Sequence, residues 1–160
     1  MLSDPDVKIL AKMHPRNKKP ACSIQGDIAV VHSPFFVLEV PKQQVKVTEW
    51  PGDPYPEVTK WRTEQIPQGV EGSKAQVMRE TWEEEKDADD EPLSVVKLQT
   101  DETAVYVQKA LYDLFDDQLD SPEFRVYPGT RDDGTPHMIG VFNDAKLVGA
   151  VAPILRDSAE

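Results

Sequence analysis

A helix signal followed by about three strand signals occurs twice in this 160-residue chain. A chain with that order has few ways to close on itself. Two such halves can pair their sheets and set both helices on one side, which predicts an α+β fold with antiparallel sheets in a single domain. The halves are divided near residues 68–92, with the first at about 4–67 and the second at about 93–156. The halves share element order and no strong sequence identity.

The first half opens on Asp4-Pro5, an N-cap and first-turn pair for a helix over about 4–14 with Val7, Leu10, Ala11 and Met13 at helical spacing. Pro15 ends it, and RNKKP reads as a basic loop. ACSIQGDIAVVH breaks at Gln25-Gly26-Asp27, a hairpin signal, and Ser33-Pro34 turns the chain into a third strand, FFVLEV. QVKVTEW alternates and predicts a half-buried strand. The proline-rich PGDPYPEVTKWRTEQIP cannot form a long regular element. Residues 68–92 hold few large apolar side chains. They predict a protruding loop, with at most a short helix around Val77, Met78 and Trp82 and a solvated acidic end at 80–91.

The second half begins with LSVVKLQT, a strand. A helix over about 101–118 follows, with Thr100 or Asp101 as its cap and a stripe of Ala104, Val107, Leu111, Leu114 and Phe115. EFRVYP, HMIGVFN and KLVGAVAPIL then read as three strands. The last is long and apolar. An exposed edge strand of that kind invites pairing, which predicts self-association with a dimer favoured.

The net charge of −11 excludes a protein that coats nucleic acid with its whole surface, but not one that binds it with a local face. Lys8, Lys12, Arg16, Lys18 and Lys19 crowd the N-terminal segment, whereas RETWEEEKDADDE is strongly acidic. Both runs read first as solvated surface; the basic one is also the candidate phosphate contact. No stretch approaches the ~20 apolar residues of a membrane span, and MLSDPDVK lacks the pattern of a signal peptide. The lone Cys22 permits no intrachain disulfide, fits a cytoplasmic protein and reads as an inert core thiol.

Catalytic patterns do not emerge. His14, His32 and His137 are far apart, in no metal-binding spacing, and each reads as a surface or turn histidine. No nucleophile elbow, P-loop or dinucleotide fingerprint occurs. Asp116-Asp117 and Asp132-Asp133 read as solvent-facing pairs, the latter as turn chemistry before Gly134. The expectation is a non-enzymatic protein without cofactor or metal. Trp50, Tyr55 and Trp61 surround the proline-rich segment, either as a satellite core or as a docking patch.

The order of elements is similar to one domain of the bacterial DNA polymerase processivity clamp. Lys19-Pro20-Ala21 leads into a hairpin ending Val30-Val31-His32-Ser33. Tyr55-Pro56-Glu57 with Ile66-Pro67 resembles that family's F-P-D-Y-x-x-V-L-P linker. Val151-Ala152-Pro153-Ile154-Leu155 resembles its terminal V-M-P-M-R-L. The resemblance implies a clamp-like fold of two βαβββ-type halves. It implies DNA as a partner of the basic helix, and polymerase or clamp-loader type proteins as partners of a pocket that includes Val151, Pro153, Ile154 and Leu155. The second helix here is acidic, where clamp inner helices tend to be basic. Small clamp-like proteins of phages and mobile elements are the nearest fit. Two functions follow as expectations: a sliding-clamp-like replication accessory, or an acidic inhibitor that occupies a host DNA-processing protein through its 80–91 run or its clamp-like surface.

Overall fold

The computed structural model describes residues 1–12, 19–54, 60–86, 90–131 and 134–154. It is an α+β fold with mostly antiparallel sheets. A short strand β1 (Leu2–Ser3) leads into helix α1 (Asp4–Lys12). The helix starts one residue earlier than expected. The Asp6 carboxylate accepts from both the Ser3 N–H and its hydroxyl at 2.9 Å, so Ser3 occupies the cap. Asp4 is thereby released to accept from the backbone N–H and hydroxyl of Thr48, each at 2.9 Å. These bonds hold its carboxyl below the usual value. They also explain why QVKVTEW is not a full strand: only Val45–Lys46 (β5) pairs, in parallel, with β1, and Thr48 bonds a helix terminus instead of a ladder.

Strands β2 (Ala21–Gln25), β3 (Ile28–Ser33) and β4 (Phe36–Pro41) form the expected meander. Its first turn depends on Gly26 at φ 63°. Its second is held by the Phe35 N–H donating to Ser33 Oγ at 3.0 Å. At the other end of the chain β10 (Pro122–Val126), β11 (Ile139–Asn143) and β12 (Lys146–Val151) form a second meander. The two join through their last strands, with Leu38 opposite Gly149 and Phe36 opposite Val151. With β6 (Ser73–Lys74) beyond β10, the order is β2-β3-β4-β12-β11-β10-β6. The terminal strand is therefore interior to the sheet, flanked by β4 and β11. The exposed edge from which self-association was expected does not exist.

Residues 68–92 also depart from expectation. β7 (Gln76–Lys86) pairs with β8 (Pro92–Gln99) from Gln76 opposite Gln99 to Trp82 opposite Leu93, and β8 pairs with β9 (Ala104–Gln108). The acidic run, as far as Lys86, lies on a strand rather than in a loop. Few apolar residues suffice because two side chains anchor opposite faces of the strand. Trp82 is buried against Tyr106, their rings 5.0 Å apart. Arg79 stands 5.4 Å over the Tyr112 ring and pairs with Asp113 at 3.3 Å.

Helix α3 covers only Lys109–Gln118. The five residues before it alternate, AVYVQ, and bond to β8, with Val107 opposite Val96. The β-branched and aromatic character of Val105, Tyr106 and Val107 favours a strand over the helical stripe read through them. Thr100, expected as a helix cap, instead accepts from Thr103 N–H at 3.1 Å and closes the β8–β9 turn.

Both helices bury their apolar sides in one core, as expected. Leu10 of α1 and Leu111, Leu114 and Phe115 of α3 meet Val31, Phe36, Leu38 and Val40 of the large sheet and Val96, Leu98 and Val107 of the small one. Phe115 is edge-on to Phe36 and Phe124. Gly149 marks where α3 crosses the seam: a Cβ there would lie 2.6 Å from the Val37 carbonyl oxygen and 2.7 Å from the Phe115 ring. The opposite face carries a smaller core of Val30, Val37, Trp61, Ile66, Tyr127, Met138 and Ala150, covered by the segment that includes the short helix α2 (Trp61–Glu64).

Candidate docking cleft

After β12 the chain leaves the sheet and crosses toward the small one. Ala152 N–H donates to the Phe35 carbonyl at 2.8 Å and Ile154 N–H to the Tyr106 carbonyl at 2.7 Å. These bonds hold Pro153 and Ile154 as one wall of an apolar cleft of about 460 Å³. Pro34 and Phe35 of the β3–β4 turn, Leu111 at the start of α3, and Pro136 and Met138 before β11 supply the rest. Phe35 is 36% exposed, unusual for a large aromatic in a two-residue turn. Arg131 lies at the rim. Its position is set by a tight loop in which its N–H donates to the Thr135 carbonyl at 2.7 Å and its carbonyl accepts from Gly134 N–H at 2.9 Å. Arg131 also borders a second, polar cleft of about 400 Å³ with Thr63, Glu64, Gln68 and His137.

Pro153 and Ile154, the expected pocket residues, line the apolar cleft. Val151 does not: it is fully buried in the large core, because it is the last ladder residue and pairs with both Phe36 and Ile139. Leu155 lies outside the described residues. Of the expected aromatic docking patch, Trp50 and Trp61 do not come together. Trp50 packs against the helix-side core and Trp61 belongs to the core on the opposite sheet face. Trp61 is buried, donates through Nε1 to Glu39 at 2.9 Å, and is covered by the Arg62 guanidinium. It is a structural residue rather than an exposed anchor. Tyr55 lies outside the described residues.

Of the basic cluster, Lys8 and Lys12 are exposed on α1. Lys19 Nζ donates to the Ala11 carbonyl at 2.6 Å, which satisfies the end of the helix and ties that ammonium down. Arg16 and Lys18 lie outside the described residues. α1 packs beside α3, whose exposed Asp116 and Asp117 put negative charge on the neighbouring helix.

His32 departs from the expected surface or turn histidine. It is 2% exposed on β3, and burial pushes its imidazole down to about 4, so it is neutral at physiological pH. Cys22 is half-buried and burial pushes its thiol up, so it stays protonated, in line with an inert thiol. His137 is half-buried at the polar cleft; His14 and Asp132-Asp133 lie outside the described residues. Among the described residues no three His, Cys, Asp or Glu side chains gather as metal ligands, and no helix is long and apolar enough to cross a membrane.

Pro34, Phe35 and Met138 were not read as site residues from the sequence. The available signal was a phenylalanine inside a turn, Ser33-Pro34-Phe35-Phe36, where polar residues are usual. No family model matches this sequence, and no curated protein or solved structure does either.

Proposed function

We propose that this chain is a non-enzymatic, sliding-clamp-like accessory whose main activity is docking. It takes a short apolar peptide segment of a replication protein of the polymerase or clamp-loader type into the cleft between Phe35 and Pro153-Ile154. The observation that carries this reading is the meeting of the Ala152–Ile154 segment with an exposed aromatic in a preformed apolar cleft. The backbone bonds of Ala152 and Ile154 fix that wall in advance, so a ligand meets a rigid surface and loses less in ordering it. Non-specific contact with DNA phosphates through Lys8 and Lys12 is a secondary part of the proposal, because the acidic α3 lies alongside. The inhibitor reading keeps one observation of its own: Glu83 and Glu84 are exposed on β7, with Glu80 half-buried on the same strand.

The test is a fluorescence titration of extended peptides bearing two neighbouring large apolar side chains. Phe35→Asp and Ile154→Glu should each weaken binding by about tenfold or more, about 1.4 kcal/mol, with the melting temperature preserved. Lys8→Gln with Lys12→Gln should leave peptide binding unchanged. Peptide affinity that survives both cleft substitutions, or no affinity at all, would discard the reading.

A further inference from the structure

The two larger sheets have four outer edges, and three of them are protected. β6 is two residues long. β7 presents Glu80, Glu83 and Glu84. β9 has its outer side engaged by Ile154 N–H at the Tyr106 carbonyl. The fourth, β2, carries none of the usual blunting devices among the described residues. Residues 20–26, PACSIQG, contain no charge in a chain of net charge −11, β2 pairs with β3 without a bulge, and Ile24 is 51% exposed.

The hairpin register shows which groups are open. Gln25 opposite Ile28 closes a two-residue loop, so the residues bonded to β3 are Gln25, Ser23 and Ala21. The N–H and C=O of Cys22 and Ile24 point outward, and among the described residues they have no partner. Gly52 N–H takes the Pro20 carbonyl at 2.9 Å, so the open stretch begins after residue 20.

From this we infer that the chain forms a twofold dimer by antiparallel pairing of β2 with β2 of a second copy, centred on Ser23. That register uses every outward group of the strand, in two reciprocal Cys22–Ile24 pairs. A register centred one residue later would spend Gly26, which is in the turn at φ 63°. The pairing lays each Ile24 beside the other copy's Cys22, on the helix-bearing face. The paired stretch ends at Ala21 opposite Gln25 of the other copy, short of the Gly52 contact at Pro20. An uncharged strand in a molecule that otherwise repels its own kind, with outward residues that complement themselves about a dyad, favours a second copy over an unrelated strand. The dimer is independent of the cleft, which lies at the end of β12 and the start of α3.

The dyad makes the test specific. Ser23 meets its own copy in a non-hydrogen-bonded pair, with Cα atoms about 4.5 Å apart, within disulfide reach. Gln25 and its copy would be four residues out of register. In full-length protein with Cys22→Ala, Ser23→Cys should cross-link to a covalent dimer under mild oxidation and Gln25→Cys should not. Sedimentation across a concentration series should give a reversible monomer–dimer equilibrium for the unaltered chain. Ile24→Pro removes an outward N–H without touching the β3 ladder and should weaken that equilibrium by about tenfold or more. Ile24→Lys, an exposed substitution, serves if the proline variant loses its circular dichroism spectrum. A strict monomer at millimolar concentration, equal cross-linking at 23 and 25, or a dimer indifferent to both Ile24 variants would overturn the inference.

Discussion

His32 shows how one residue type can carry opposite meanings. A histidine beside a Ser-Pro turn reads as surface, yet here it is the penultimate residue of an inner strand and is buried. Its folded value of about 4 lies below the ordinary 6.5. The unfolded chain therefore binds the extra proton first. Stability is fully present above about pH 6.5 and falls as the pH drops toward 4, by an amount on the order of 3 kcal/mol. Urea unfolding at pH 7 and pH 4.5 should show this loss, and His32→Leu should remove most of it. The carboxyls of Asp4 and Glu123 are also held below their ordinary values, so their contribution is lost as the pH falls through the carboxylate range and persists in the variant. An unchanged pH dependence in the variant would reject the assignment. The histidine's burial was not legible locally, because it depends on β4 and β2 flanking β3.

At the scale of elements, turns were read best and long-range pairing worst. Gly26, Ser33-Pro34 and the tight turn after Asn143 are where the sequence placed them, because each turn is decided by a few adjacent residues. β7 was missed because its partner, β8, supplies the ladder and only Trp82 supplies a large buried side chain. Trp82→Ala should consequently cost about 3–5 kcal/mol and expose Tyr106, measured by chemical denaturation. A loss below about 0.5 kcal/mol, as for a surface site, would mean that the acidic segment is held by backbone pairing alone. The β9–α3 boundary failed for a related reason. Ala104 and Val107 fit a helical period by spacing, but β8 offers them a ladder and wins.

For the whole molecule, charge decides what can approach. The exposed faces of α3 and β7 are acidic, and Lys8 and Lys12 are the exposed cations of the sequence-predicted cluster among the described residues. Two phosphate contacts would give a salt dependence of duplex affinity with a log–log slope of at most about 2. Lys8→Gln with Lys12→Gln should abolish what binding there is at low salt. A slope of about 5 or more in the unaltered chain would mean that a wider basic surface forms, and the docking reading would yield to a DNA-first one.

The sequence by itself determined the α+β class, the helix-then-strands order that occurs twice, and the hairpin turns. These follow from short-range periodicity and turn chemistry. Only the tertiary structure decided that β4 and β12 join the halves, that Val151 and Trp61 are core, that Lys19 closes a helix end, and that Phe35 completes the cleft. Each of these depends on a partner far along the chain, and the pattern of neighbouring residues does not say which distant strand or carbonyl a group will meet.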